Sequence, residues 1–417
     1  MGFYFSHANV IFNRGVFKKM IKMKSKNYVF EPNLAVAKTD TFSEVYPVIN
    51  NYLIENKEWE QCRDGRVKEI LDFKTIITNP YRRLVGGYGR NINPFFLLAE
   101  AMWIFSGRKD VRFLSLFNKN MEQFSDDGKV FHAPYGFRLR HWGVRSEDKF
   151  CEDNLHAAQG YDQVADAIKL FENNPNTRQV VLSIWNPDLD LGTKTKDIPC
   201  NDIVMLKIRD GKLITTIQNR SNDLHWGLPT NLFQFSFLTE LISACLNIEL
   251  GTQTHNSQSL HIYDWNNITN VMHTNFCKKN NKNLYDVARE RRIDFNFSHQ
   301  IAGNRLREID YYINTLIDNI ERVARGADEN RDEILSLERF SLYLHRVYMY
   351  LRIYLKYKEA ITVNKDSKLF EAEKAIDAIQ LFDKYDNESV SDWDVSILAQ
   401  NWFASRINKN HSFLGKL

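Results

Sequence analysis

The order of apolar and polar positions divides the chain into two textures. Before about residue 300, apolar positions come in short runs of mixed period. FSEVYPVINNYLIENK (42–57) has helical spacing, and RVKEILDFKTIITNP (66–80) reads as a strand closed by turn residues. FFLLAEAMWIFSG (95–107) reads as an apolar helix stopped by Gly107. VVLSIWN (180–186) has the continuous apolar character of a buried strand. IVMLKI (203–208) and KLITTIQN (212–219) flank Arg209-Asp210-Gly211, and Asp-Gly between two such runs predicts a tight hairpin. TNLFQFSFLTELISACL (230–246) is apolar on nearly every side, so a buried central helix is expected.

Beyond about 300 the strand signals almost vanish. Leu306, Ile309, Ile313, Leu316, Ile317, Ile320 and Val323 recur at helical spacing, and further helical patterns cover about 332–361, 369–385 and 393–407. The expected class is α+β: an N-terminal arm (1–45), an α+β body (46–300) and a helical C-terminal region (301–417).

Composition narrows the function classes. The 417 residues are 43% hydrophobic and 26% charged, an ordinary globular mix able to fill a sizeable core. With 55 basic against 52 acidic residues the net charge is +3, too balanced to point to a nucleic-acid partner, although small phosphorylated ligands stay open. No run approaches the ~18 apolar residues of a membrane span, and the N-terminus lacks a signal-peptide pattern. Cys62, Cys151, Cys200, Cys245 and Cys277 are odd in number and widely spaced. That argues for reduced thiols in a cytoplasmic setting, and against a disulfide scaffold or structural zinc.

Chemistry-bearing residues concentrate in a few places. The glycine-rich LVGGYGRNINP (84–94) lacks both the P-loop ending and the dinucleotide-binding glycine order, so it reads as a plain loop. Glu100 stands among Leu98, Ala99, Ala101, Met102 and Trp103, a costly place for a carboxylate unless it is used, paired or on an exposed stripe. Pro199-Cys200 precedes the hairpin and Arg220-Ser221 follows it, so the hairpin brings thiol and guanidinium together. An arginine beside a thiol favours the nucleophilic thiolate, and arginine with a hydroxyl suits a phosphate. Asn231 carries a donor and an acceptor that can read an amide-like ring edge. The residues alone suggest a cysteine nucleophile beside an anion site, or an inert buried thiol with a structural arginine.

The ordered run of PC, RSND, GLPTN and LHIY resembles the thymidylate synthase and pyrimidine-nucleotide hydroxymethylase family, whose blocks are R-S-x-D, G-L-P-F-N and H-x-Y. Upstream, AEAMWIFSG, APYGFRLRHW and NPNTRQVVLSIWNP are similar to further blocks of the family. The likeness covers about 60–270. It implies the family's mixed-sheet fold and a homodimer formed through the sheet. It also implies 5,10-methylenetetrahydrofolate as the one-carbon donor and a pyrimidine nucleoside monophosphate as substrate.

The resemblance implies roles residue by residue. Cys200 is the nucleophile that adds to C6 of the ring, making C5 electron-rich. Arg220 and Ser221 hold phosphate, Arg178 reaches it from the partner subunit, and Arg66 is the mobile phosphate arginine. Asn231 reads the base, while His261 and Tyr263 meet the sugar 3′-hydroxyl. Glu100 moves protons through ordered water and Tyr135 assists C5 proton removal. Asp223, Trp103 and Met121 stand on the folate side.

Departures from the family pattern bear on the product. Asn201 follows the nucleophile where synthases carry histidine, Gln179 replaces a second arginine, and Thr230 replaces phenylalanine. In NKNMEQFSDDG (118–128), Met121 and Phe124 stand at the spacings of two synthase tryptophans. An indole over the exocyclic methylene at C5 would exclude water. Methionine leaves room for a water held by Asn201 or His132, and water attack gives a hydroxymethyl group. Asparagine at 231 matches uracil, where cytosine-acting relatives tend to carry aspartate. The expected activity is therefore hydroxymethylation of dUMP, as in phage DNA metabolism. Thymidylate synthesis, dCMP or CMP hydroxymethylation, and a non-catalytic nucleotide- or RNA-binding homologue are the alternatives. The chain continues through helices to Gly415-Lys416-Leu417 instead of the short apolar tail that caps a synthase site.

Overall fold

A computed structural model of the chain describes residues 28–62, 65–86, 92–143, 160–264, 289–384 and 394–407. Cys151, Cys277, residues 87–91 of the glycine-rich loop, most of the N-terminal arm and the last ten residues lie outside the described residues.

The strands are β1 (Tyr28–Glu31), β2 (Val36–Thr39), β3 (Glu60–Cys62), β4 (Gly65–Ile77), β5 (Val181–Ser183), β6 (Asn201–Arg209), β7 (Lys212–Asn219), β8 (Asn222–Asp223) and β9 (Glu249–Tyr263). They form one mixed sheet in the order β1-β2-β4-β9-β7-β6-β5, with β3 beside β4 and β8 beside β9. The hairpin signal is realised: β6 and β7 pair antiparallel from Arg209↔Lys212 to Asn201↔Asn219. Asp210 and Gly211 both take positive φ, 51° and 68°, the conformation that a two-residue turn matching strand twist requires.

The body's helices are α1 (Phe42–Asn56), α2 (Pro94–Phe105), α3 (Val111–Phe117), α4 (Tyr135–Arg140), α5 (Gln163–Asn173), α6 (Pro187–Asp190) and α7 (Gly227–Leu246). The C-terminal ones are α8 (Ala302–Ala324), α9 (Arg331–Phe340), α10 (Leu342–Val363), α11 (Lys368–Lys384) and α12 (Asp394–Ile407). α7 is buried around most of its circumference, including Phe233, Phe235 and Phe237, as its unbroken apolarity predicts. The helical pattern expected over 332–361 is two helices. Ser341, almost fully buried, ends α9 and caps α10 by accepting from the Leu344 N–H at 3.1 Å. The strand expected over 180–186 is only three residues long.

One hydrophobic cluster runs through α2, α5 and α7 into α8, α10 and α12. Phe95 of α2 stacks on Tyr354 at 4.9 Å and meets Trp402 and Phe403 at 5.5 and 5.3 Å. Burying each such ring contributes about 1.5–3 kcal/mol. Buried ion pairs stitch the same junction. Arg108 donates to Asp110 and to Glu321 at 2.7 Å each, and Arg140 grips both oxygens of Asp310 at 2.8 and 2.7 Å. α4 docks on α2 at Gly136, where any Cβ would overlap the Ile104 carbonyl oxygen. That contact fixes Tyr135 relative to the helix carrying Glu100. No helix among the described residues is long and apolar enough to cross a membrane.

Candidate active site

The β6–β7 hairpin builds the centre. Its register sets Asn201 opposite Asn219, so the residues just outside it, Cys200 and Arg220, lie side by side. Arg220 Nη2 is 3.8 Å from Cys200 Sγ. Its Nε donates to the Pro199 carbonyl at 2.7 Å and Nη2 to the Ile198 carbonyl at 3.1 Å. Nη1 has no partner among the described residues, and the side chain is exposed, so a donor remains for an anion. Ser221 follows it, half-buried.

Electrostatics at the thiol differ from the simple expectation. Burial pushes the Cys200 thiol up; Arg220 pulls it down, but Asp197, Asp202 and Asp223 push it up again. The resting sulfur is therefore protonated at neutral pH, and the arginine limits the cost of ionisation without cancelling it. Burial raises Asp202 to about 6, although Arg220 lowers it by charge and through its backbone N–H. Sequence reasoning missed Asp197 and Asp202 because nothing local marks an acid beside a thiol. The Cys200 backbone N–H donates to the Tyr135 hydroxyl at 3.4 Å. Burial raises the phenol well above its ordinary value, with the Cys200 and Asp197 charges adding to it.

Behind the thiol runs a chain of buried amides. Asn219 donates to Asn201 Oδ1, Asn201 Nδ2 donates to Asn231 Oδ1 at 3.2 Å, and Asn231 Nδ2 donates to Asn222 Oδ1 at 3.3 Å. Asn222 Nδ2 ends the chain on Ser257 Oγ at 3.2 Å. Each amide keeps a second N–H or lone pair, so Asn231 can still address a ring edge while its orientation is held from both sides. Asn201 thus takes part in holding Asn231. Asn219 and Asn222 were not singled out from sequence, since buried strand asparagines have no local signature.

Glu100 of α2 faces Gln234 of α7, whose Nε2 donates to Glu100 Oε2 at 2.7 Å and to the Leu97 carbonyl at 3.2 Å. Burial raises the carboxyl to about 7, and the Gln234 hydrogen bond only partly offsets it. A carboxyl half-ionised near neutrality is suited to giving and taking protons. His261 and Tyr263 sit on β9, ring to ring at 4.9 Å, with His261 held neutral chiefly by burial. β4 runs alongside, Val67 opposite Tyr263, and Arg66 is exposed and paired with Asp264 at 2.8 Å.

Asp223 Oδ2 accepts from the Trp226 and Gly227 backbone N–H groups at 2.5 and 3.3 Å, while Oδ1, also buried, has no partner among the described residues. Asp223 lies in the wall of a cavity of about 1720 Å³ shared with Ile92, Phe96, Leu97, Met121 and Tyr263. An unsatisfied carboxylate oxygen beside apolar residues such as Ile92, Phe96, Leu97 and Met121 fits a flat heterocycle that offers N–H donors, as a pterin does.

Two expected residues stand apart. Trp103 is a core residue: its indole N–H donates to the Asp110 carbonyl at 3.0 Å, its ring packs edge-on against Phe131, and it does not line the cavity. Its place on α2 turns it toward α3, away from Asp223. Arg178 is exposed on the turn before β5, makes no hydrogen bond or ion pair among the described residues, and is not gathered with Cys200. His132 is held by Asp190, its Nε2 3.1 Å from the carboxylate, instead of pointing free at a water.

Comparison with known proteins gives a consistent answer. The thymidylate synthase family model matches residues 90–301. The chain is 43% identical over 223 residues to the deoxyuridylate hydroxymethyltransferase of Bacillus phage SP01, covering 53% of this chain and 57% of the relative. It is 37% identical over 208 residues to the protein of that name from Pseudomonas phage M6, covering 48% and 55%. It is 33% identical over 173 residues to the bifunctional dihydrofolate reductase-thymidylate synthase of Paramecium tetraurelia, covering 42% and 36%. The chain thus spans little more than half the length of the phage relatives.

Proposed function

This chain belongs to the thymidylate synthase family, and from that premise we propose that it transfers a one-carbon unit from a reduced folate to C5 of dUMP, leaving a hydroxymethyl group. The observation that carries the reading is the pairing of Cys200 Sγ with Arg220 at 3.8 Å, three residues before Asp223, which lines the cavity and keeps one carboxylate oxygen without a partner among the described residues. The hydroxymethyltransferase name of the relatives and Met121 in the cavity wall support the choice of product.

The residues divide the work as follows. Arg220 and Ser221 hold the phosphate, joined by Arg66 and by Arg178 of a second copy in a homodimer. Asn231 addresses O4 and N3 of uracil with its amide oriented by Asn201 and Asn222. His261 and Tyr263 hold the sugar. Cys200 gives up its proton and adds to C6, the ring then carrying negative charge toward O4 and C5. Glu100, near its midpoint at neutral pH, serves as proton donor and acceptor, and Tyr135, whose phenol keeps its own proton beside Cys200, assists C5 proton removal by hydrogen bonding to the water that takes it. Asp223, Met121 and the apolar residues Ile92, Phe96 and Leu97 would hold 5,10-methylenetetrahydrofolate, which supplies the one-carbon unit when bound. Reduced thiols fit a cytoplasmic site of action.

The test incubates the protein with dUMP or dCMP and methylenetetrahydrofolate. Hydroxymethyl-dUMP without dihydrofolate is expected; dTMP with dihydrofolate would make it a synthase instead. Cys200→Ala should abolish turnover and keep dUMP affinity within about tenfold. Retained activity in that variant overturns the covalent mechanism.

A further inference from the structure

His261 is flanked by two acids across the sheet. β9 pairs with β4 on one side and with β8 on the other, and the registers set Glu69 and Asp223 each directly opposite His261. Residues opposite one another in a ladder turn their side chains to the same face, and so do residues two apart along a strand. Glu69, Ser259, His261 and Asp223 therefore share one face.

The hydrogen bonds on that face form a line. The Ser259 hydroxyl donates to Glu69 Oε2, and its oxygen lies 3.3 Å from His261 Nδ1. The imidazole is 5% exposed and packs edge-on against Tyr263. The His261 carbonyl accepts from the Leu224 N–H at 2.8 Å, which pins the strand at this point. Nε2 makes no hydrogen bond among the described residues. Asp223 and Glu69 favour a charged ring, while burial, the largest effect, and Arg220 oppose it, so the ring is neutral.

Counting protons then fixes the tautomer. A neutral imidazole carries one N–H, and a carboxylate has no proton to give. The single proton of the Ser259 hydroxyl goes to Glu69, so toward the ring the Ser259 oxygen only accepts. The ring proton therefore sits on Nδ1, and Nε2 is left as a bare acceptor. Tyr263 and Asp223, the neighbours of His261 along and across the sheet, both line the cavity. A buried acceptor without a partner beside that cavity marks a place for a ligand O–H.

We propose that Glu69 and Ser259 are positioning residues that hold His261 in its Nδ1–H form, so that Nε2 accepts from the 3′-hydroxyl of the substrate sugar. The inference rests on the nucleotide reading above and narrows it to a free monomer. A nucleotide linked onward through its 3′ oxygen has no proton to offer there, and it brings negative charge toward Glu69 and Asp223.

The test measures calorimetric affinities of the full chain for dUMP and for its 3′-deoxy analogue. The wild type should bind dUMP about three- to tenfold more tightly, the worth of one hydrogen bond. Ser259→Ala and Glu69→Ala should each lower that preference to about twofold or less, with affinity for the analogue changed by no more than about twofold. Ser259→Thr, which keeps the hydroxyl on a strand that suits threonine, should retain the preference. Nitrogen NMR of the wild-type ring, assigned by its loss in His261→Gln, should show the proton on Nδ1. That measurement decides the tautomer even where an alanine variant does not fold. A protonated Nε2 in the neutral wild-type ring, equal wild-type affinity for the two nucleotides, or a preference that survives in the folded alanine variants overturns the proposal. Failure of both nucleotides to bind would instead remove the reading on which it stands.

Discussion

Replacing Glu100 by glutamine isolates what its surroundings do to its charge. Glutamine keeps the shape and still accepts the Gln234 N–H bond, now 2.7 Å long. Burial raises the native carboxyl from 4.5 to about 7. Between those pH values the folded protein binds more protons at this site than the unfolded chain does, so stability falls as pH rises through the window and is level above it. At about 1.4 kcal/mol per pH unit the loss is of order 2–3 kcal/mol, with partial solvent contact trimming it. Glu100→Gln should match the wild type near pH 4.5 and exceed it by about 2–3 kcal/mol at pH 8. Turnover should fall by at least about a hundredfold, because the proposed proton carrier is gone. Urea denaturation of both proteins from pH 5 to 8, beside kcat/KM profiles, measures this. The wild-type profile should carry an apparent pKa near 7 that the variant lacks. Denaturation differences that do not change with pH would refute the argument from burial.

Three further outcomes are expected. Met121→Trp should shift the product from hydroxymethyl toward methyl, read by mass spectrometry of the nucleotide; an unchanged ratio would mean that water is admitted elsewhere. Asn231→Asp should raise the dCMP-to-dUMP ratio of kcat/KM by at least about tenfold, since a carboxylate accepts better from an exocyclic amine. Gly136→Ala should lower both stability and turnover, as the added methyl must displace α4 from the Ile104 carbonyl; native melting and full activity together would contradict that docking.

Much of the candidate site is legible in the sequence because short-range geometry places it. Asp210-Gly211 fixes the hairpin register, and the register alone brings Cys200 to Arg220. The isolated Glu100 was legible from its apolar neighbours, but its partner Gln234 was not, because one amide within a buried helix has no periodic signal. β9 escaped notice for a related reason: its inward residues include Gln253, His255 and Ser257, all buried, so polar side chains mask the alternation. β1 and β2, four residues each, are too short to display a period. The block around Trp103 places it on the folate side, whereas helix rotation turns it into the core. The part of the cavity wall made by Tyr357 and Arg406 depends on contacts more than two hundred residues apart, which no local pattern encodes.

The absence of a side chain at residue 136 has a mechanical outcome. With nothing between α4 and the carbonyl of Ile104, the two helices share one surface and cannot slide without collision. The phenol of Tyr135 and the acid of Glu100 therefore ride on a single stiff block, and the spacing between them is set by that one contact.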